Sequence, residues 1–395
     1  MAQSGRTGRL HPAVGSARRH VVECLSSHLP GFSAAPTGKA SRRTRSEAPG
    51  PEDRPLVLVA CSGGPDSLAL AAIAAHFGRR GDLRAGAVVV DHQMQEGSAE
   101  QAERAAEQCR GLGLEPVRVV TAEVRRGGLG PEMAARLARY DALEREAHRA
   151  GAAAILLGHT LNDQAETVLL GLSRGSGTRS LAGMPAARPV REGSDGPLLL
   201  RPFLGLRREE IHEVCAAEGL TAWADPTNDD RAYRRNQVRH EILPYLEEHL
   251  GPGIAEALAR TAAVLGPDAE LLEELAEDTA AAAQVSPGAY QPVPEDHGRA
   301  VSGLSMPALR RMHRALRRRV IARAVVAAGG ESPSFERLGA VDELLGASGK
   351  AGPVQLAGHV AVWRRRPLPS GPGRGGNARD GALVLAVTSG PGDET

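Results

Sequence analysis

The sequence predicts an α/β protein: a parallel sheet with helices on both faces, followed by a helical linker and a small C-terminal domain. Three observations carry this reading. From residue 55 to about 160, apolar runs of strand length alternate with helical patterns. The runs lack the every-second-residue alternation of a half-exposed strand, so both faces of the sheet must be covered. Finally, the polar clusters that punctuate the pattern directly follow strands. That places them on the rim beyond the strands' carboxyl ends, where such sheets bind ligands.

The elements follow in order. His11 to His28 has helical spacing, with Val14, Ala17, Val21 and Cys24 on one stripe. Residues 29–54 are rich in Pro, Ser, Gly and Arg, include the basic run Lys39–Arg45, and read as a linker. Residues 1–54 therefore form a leader of one helix and a flexible linker, and deleting residues 1–50 is expected to leave catalysis largely unchanged. Leu56–Cys61 is the first strand, Ala87–Val90 the second and Val117–Val120 the third. Ala153–Leu157 is the fourth. Helices are expected over Ser98–Leu112, with Ala102, Ala105, Ala106 and Cys109 inward, and over Glu132–Ala150. Residues 186–198 read as a loop, Leu198–Pro202 as an extended segment and Arg208–Glu218 as a helix. These define a catalytic domain over 55–246. Beyond it lie a helical linker over 247–299, a basic domain over 300–367 built on one helix from Met306 to Ala328, and a flexible tail or terminal hairpin over 368–395.

Composition narrows the function classes. A net charge of +1 excludes a global basic field, so any nucleic-acid partner must be met by local patches. Aromatics at 3% argue against a single-strand binder made of many stacking rings. The four cysteines, Cys24, Cys61, Cys109 and Cys215, form no CxxC pair and give no zinc or iron–sulfur signature. No apolar stretch is long enough to span a membrane and no secretory signal is evident, so no membrane partner is expected and a cytoplasmic location is.

The chemistry sits in two motifs. After the first strand comes Ser62-Gly63-Gly64-Pro65-Asp66-Ser67, and a helix opens behind it. Glycines let the backbone approach a phosphate, the serines and helix N-terminal amides supply donors, and the helix dipole favours an anion. Asp66 suits such a site once a divalent metal bridges it to phosphate, which makes it the candidate Mg²⁺ ligand. No Gly-Lys-Ser/Thr end is present, which excludes a Walker A loop. After the fourth strand comes Gly158-His159-Thr160-Leu161-Asn162-Asp163-Gln164-Ala165-Glu166. Asp163 and Glu166, three apart on a helix, share a face and can hold a metal or bind and deprotonate an amine; alternatively they cap the helix as solvated acids. His159 is either a rival base or a structural residue.

The loop resembles the SGGxDS motif of the PP-loop ATP pyrophosphatases, adenine nucleotide alpha hydrolase-like enzymes that split ATP between its α and β phosphates. Gly158–Glu166, continued by Arg174–Met184, resembles the tRNA(Ile)-lysidine synthetase branch. Arg136–Tyr140, Arg201–Leu204, Asp225–Asn228, Arg235–Arg239 and Leu243-Pro244 resemble further motifs of that branch in the same order. Pro65, Asn162 and Gln93-Met94 depart from the usual residues.

The resemblance implies ATP as a substrate, Mg²⁺, free L-lysine and tRNA(Ile) with a CAU anticodon. The reaction it implies converts the wobble cytidine to lysidine through an adenylated intermediate. A homodimer is compatible with it. Residue roles follow. Ser62, Gly63, Gly64, Pro65, Asp66 and Ser67 hold ATP phosphates, Asp91 and His92 flank the adenosine, and Arg139, Gly158 and His159 complete the ATP site. Asp66, Asp163 and Glu166 are the catalytic carboxylates. Arg235, Asn236 and Arg239 face substrate or tRNA; Arg234 beside them is outside the resemblance, and the alternative for these arginines is pairing with Asp229, Asp230 and Glu241. Apart from the resemblance, the density of the basic run 310–319 points Arg314, Arg317 and Arg318 to tRNA, the alternative being a solvated helix face. The alternatives are a tRNA thiolase of the same superfamily, an amidating ligase, and a degenerate tRNA-binding module. The isolated cysteines weigh against the first, and the basic helix and the 225–239 motifs against the second. The retained carboxylates weigh against the third.

Overall fold

The computed structural model describes residues 10–32, 50–93, 97–123, 131–175, 177–191, 196–223, 225–294, 298–346, 351–368 and 381–387. The basic run Lys39–Arg45 and Met94 lie outside the described residues. The chain divides into two units, Met1–Gly266 and Pro267–Thr395.

The first unit is built on a six-stranded sheet of order β3-β2-β1-β4-β6-β5. The strands are β1 (Leu56–Ala60), β2 (Arg84–Asp91), β3 (Val117–Thr121), β4 (Ala154–Leu156), β5 (Ala187–Pro189) and β6 (Leu198–Leu200). All pair in parallel except the edge strand β5, which runs antiparallel to β6. The 186–198 segment thus contributes this short edge strand as well as a loop.

Alternate residues of β1 serve opposite cores. Val57 and Val59 join one cluster with α1 (Pro12–His28), α2 (Pro65–Arg80), α3 (Ser98–Gly111) and α7 (Arg208–Glu218). Leu56 and Leu58 join another with α4 (Pro131–Ala150). This is why the strand reads as continuously apolar. The order changes direction at β1: β2 and β3 lie to one side, β4 and β6 to the other. The crevice beyond the ends of β1 and β4 is therefore the switch point at which such sheets bind ligands.

α5 (Leu161–Ser173) follows β4, and α6 (Thr178–Leu181) follows α5. α8 (Arg234–Gln237), a π turn over Val238–Ile242 and α9 (Leu243–Leu250) run on from one another. α10 (Ile254–Ala283) contains the boundary between the units, beside its internal Pro267.

The leader departs from expectation. α1 is no appendage: Val14, Ala17, Val21 and Leu25 are at most 1% exposed within the core shared with α2 and α7. Cys24, placed by spacing on the buried stripe, is only partly buried, and Leu25 takes the inner position. Residues 1–50 are therefore not dispensable as a block. Leu25→Ala is expected to cost about 2–5 kcal/mol, the range for emptying a leucine site in a core. Urea denaturation of the full chain measures this.

The second unit carries an antiparallel sheet of order β7-β8-β11-β10-β9. Its strands are β7 (Gln284–Val285), β8 (Arg299–Ser305), β9 (Val354–Leu356), β10 (Val360–Arg365) and β11 (Ala382–Val387). Its helices are α11 (Met306–Arg311), α12 (Arg314–Ala327) and α13 (Phe335–Glu343). Two expectations are corrected. The domain does not end at 367, because β11 is the middle strand, paired on both edges, with Leu383 and Leu385 in the core. The basic helix is two helices, because the chain extends at Met312 and His313, and the His313 ring caps α12 through Ala315 N.

Candidate active site

The loop after β1 folds as its residue types demand. Gly63 has φ +81°, a conformation that disfavours any side chain, and its carbonyl accepts from Trp223 N at 2.9 Å. Gly64 is the N-cap of α2, and Pro65 starts the helix where its missing N–H costs nothing. Ser67 is buried and organises the turn: its Oγ donates to Gly64 O at 3.0 Å and accepts from Ser62 N at 3.1 Å. The first-turn amides have no acceptor inside the helix. Gly158, at the end of β4, explains how the two motifs meet. A Cβ there would lie 2.9 Å from the Asp66 carbonyl, so only glycine lets β4 abut the first turn of α2.

Asp66 faces a cavity of about 990 Å³ lined also by Asn162, Glu166, Arg208, Trp223 and Arg239. Its Oδ1 is buried without a hydrogen-bond partner. Burial, with repulsion from Asp163 and Glu166, lifts its pKa to about 6 against the opposing pull of Arg208 and Arg239. Among the described residues, no cluster of three or more His, Cys, Asp or Glu stands ready for a metal. Mg²⁺ on a polyphosphate needs only one or two protein carboxylates, and an unpartnered buried carboxylate oxygen at the phosphate loop fits that demand.

Asp163 and Glu166 are neither solvated acids nor a free pair. Asp163 closes a capping box: its Oδ2 accepts from Thr160 N at 2.8 Å and from Thr160 Oγ1 at 2.9 Å. Its Oδ1 faces Arg208, Arg235 and Arg239 at 3.2, 3.4 and 3.2 Å. Glu166 is fully buried and accepts from Arg235 Nε and Arg239 Nε at 2.7 Å each, with Arg208 Nη2 at 3.4 Å. Burial alone would raise Asp163, but Arg235 and Arg208 outweigh it and hold the group below the usual carboxylate range. Together with Asp66 the cluster sets three carboxylates against three guanidiniums.

The other expected residues fall as follows. Asp91 is buried at the end of β2, its Oδ1 accepting from Gln93 N at 2.9 Å, which fixes Gln93 at φ 52°. His92 Nδ1 and Arg139 Nε are buried without partners. His159 Nδ1 accepts from Arg201 Nε at 3.2 Å. Burial keeps its imidazole well below the ordinary value, so the ring is neutral and only weakly basic. The Asn236 amide donates to Thr227 O and Asp230 O at 2.8 Å each and so braces the turn that precedes Arg235.

The alternative partners Asp229, Asp230 and Glu241 do not take Arg235 and Arg239, which pair with Asp163 and Glu166. In the second unit, Arg317 Nε and Arg318 Nε chelate Asp342 at 2.9 and 2.8 Å, while Arg314 is exposed. Arg208 is a site residue that the sequence motifs do not single out. Its backbone N–H is held by Asn162 Oδ1 at 3.0 Å, which gives that departure from the usual motif a role in placing it. Its one signal is a cation in the first turn of a helix, where the dipole disfavours it.

Comparison with known proteins was consistent along the chain. Residues 39–246 match the PP-loop domain family, and 304–367 match the TilS substrate binding domain. A tRNA(Ile)-lysidine synthase of Thermobifida fusca is 46% identical over 84% of this chain and 92% of its own. One from Streptomyces coelicolor is 42% identical over 90% and 97%. One from Leifsonia xyli is 48% identical over 79% and 88%.

Proposed function

The chain belongs to the tRNA(Ile)-lysidine synthase family, and on that premise we propose that it joins L-lysine to C2 of the wobble cytidine of tRNA(Ile) with a CAU anticodon, consuming ATP and releasing AMP and pyrophosphate. The product, lysidine, changes the codon read from AUG to AUA. The observation that carries this reading is the abutment of the two motifs at the switch point. Gly158 packs on Asp66, which brings the phosphate loop and the carboxylate–arginine cluster into one crevice.

The chemistry runs in two stages. The cytidine 2-carbonyl oxygen attacks the α-phosphate of ATP and pyrophosphate leaves. The lysine ε-amine then attacks C2 and AMP leaves. Ser62, Gly63, Gly64 and Ser67 cradle the departing phosphates on the α2 amides. Asp66 would hold Mg²⁺, whose charge offsets that of the leaving group. Asp91 and His92 border the adenosine. Free lysine has an ammonium pKa of about 10.4 and must lose a proton before it attacks. Glu166 receives that ammonium once an arginine yields its place and takes its proton as the amine attacks, and the released guanidinium is then free for the lysine carboxylate. Arg314 on α12 meets the tRNA, and a cytoplasmic location follows from the substrate.

The decisive assay is AMP release with total tRNA, with and without lysine. Lysine-dependent AMP, with lysidine in the digested tRNA, supports the assignment. AMP release indifferent to lysine removes it. For α12, Arg314→Gln is expected to lower the log–log salt slope of tRNA binding by about 0.7–0.9. Arg317→Gln and Arg318→Gln are expected to change it less, because Asp342 already engages both side chains. Equal slope changes in all three would show that Asp342 gives them up on binding.

A further inference from the structure

Around Tyr140 the rim carries charge of one sign. The Tyr140 ring, on α4, lies beneath three guanidiniums: Arg136 at 5.3 Å, Arg139 at 5.4 Å and Arg188 of β5 at 5.2 Å from its centroid. Arg136 Nη2 also donates to the Tyr140 hydroxyl at 3.3 Å. A fourth, Arg201 at the end of β6, is 3% exposed, with Nη1 on Pro185 O at 2.7 Å and Nε on His159 Nδ1. Among the described residues, none of these four guanidiniums pairs with a carboxylate. Arg208, Arg235 and Arg239, a short way along the same rim, all do.

Gathering cations in a low-dielectric setting is unfavourable unless something offsets their repulsion. The ring face and the carbonyls of Pro185, Pro189 and Val190 do part of this. Burial would raise the Tyr140 phenol, yet the four guanidiniums outweigh it and bring it down to about 8. Arg139 Nε and His92 Nδ1 are both buried without a hydrogen-bond partner, and the Arg139 charge acts on the His92 ring. Among the described residues the four guanidiniums meet a ring face, carbonyl oxygens and an imidazole, and form no ion pair to a carboxylate.

We propose that this cluster is a second anion site on the rim, built for a phosphate group and separate from the loop at 62–67, with Tyr140 as the positioning residue that assembles it. Several arginine forks converging without a carboxylate are suited to phosphate oxygens. The Arg201–His159 contact sets the cluster at the end of β4, the strand next to β1. That is within reach of ATP's own phosphates and of the RNA backbone flanking the target nucleotide. The choice between these two sources rests on the proposed function; the anion site itself does not.

The test uses the full chain with Arg136→Gln, Arg188→Gln, Tyr140→Leu and Tyr140→Phe. Arg145→Gln, exposed on the same helix, serves as the charge control. Two constants are measured without turnover: the Kd for ATP in the absence of RNA, and the Kd for an RNA hairpin with a CAU loop across a salt series. If the phosphate is the nucleotide's, the arginine variants and Tyr140→Leu weaken ATP about tenfold and leave the RNA slope alone. If it is the RNA's, the slope falls by about 0.7–0.9 per arginine and ATP is unaffected. Tyr140→Phe keeps the ring beneath the guanidiniums and is expected to lose less than Tyr140→Leu. Unchanged ATP affinity together with an unchanged RNA slope overturns the proposal. No reading depends on lysine, so failure of the lysine-dependent assay would leave this test standing.

Discussion

Asp66→Ala is expected to reduce adenylation at least about a hundredfold while tRNA affinity stays within about twofold of the parent. The carboxylate lies at the phosphate loop, and removing it deletes charge stabilisation where pyrophosphate departs. Pyrophosphate release in single-turnover mixtures measures this directly, and release at the parental rate would remove Asp66 from the mechanism. The structure adds a pH dependence. Burial and the neighbouring acids lift Asp66 to about 6, so at lower pH it carries a proton and cannot hold a cation. Activity should fall as pH drops through about 6, and excess Mg²⁺ should move that midpoint down.

The same raised pKa makes Asp66 a stability cost. A carboxyl whose folded pKa lies above its unfolded value binds its proton more readily in the native state. It therefore favours folding at low pH and opposes it as pH rises through about 6. Asp66→Asn should raise stability at pH 8 by on the order of 2–3 kcal/mol, since each tenfold change in proton affinity is worth about 1.4 kcal/mol. The gain should shrink below pH 6 and vanish near pH 4. A variant that melts higher and does not adenylate would show strain held at the site for function.

Much of this was readable from residues alone, for definable reasons. The parallel sheet announces itself because strands covered on both faces must be apolar throughout, as Leu56–Ala60 is. The phosphate loop is local in sequence, so six consecutive residues carry nearly the whole structure. What escaped was non-local. Asp163 and Glu166 were found, but their partners are 42 to 76 residues away, and nothing in the spacing of Arg208, Arg235 and Arg239 says which acids they meet. The apolar stripe of α1 was visible and its burial partner α7, about 190 residues on, was not. β11 is a six-residue apolar run with strand character, yet it follows a Gly/Pro-rich stretch and reads as tail until its neighbours β8 and β10 are known.

Glu166→Gln separates what the buried cluster does for folding from what it does for lysine. Glu166 is fully buried and faces Arg235, Arg239 and Arg208, so removing its charge leaves guanidiniums without their counter-ion. Breaking one side of a buried ion pair costs about 3–5 kcal/mol, and a loss of that size is expected in urea denaturation. Asp163→Asn should be costly too, because its one amide oxygen can keep either the capping-box bond from Thr160 N or the acceptor facing the three arginines, and the other position becomes an amide donor. At a temperature where both variants remain folded, pyrophosphate release should persist while lysidine formation falls and KM for lysine rises.

A second substitution decides whether that defect is more than loss of fold. Glu166→Gln with Arg239→Gln removes one charge of each sign. If the cluster is only structural, stability and lysine use should recover together. If Glu166 receives the lysine ammonium, stability should recover in part through coupling between the two sites, and lysine use should stay low. Failure of pyrophosphate release in a folded Glu166→Gln protein would instead assign the residue to ATP. The amine would then have to be held elsewhere on the rim.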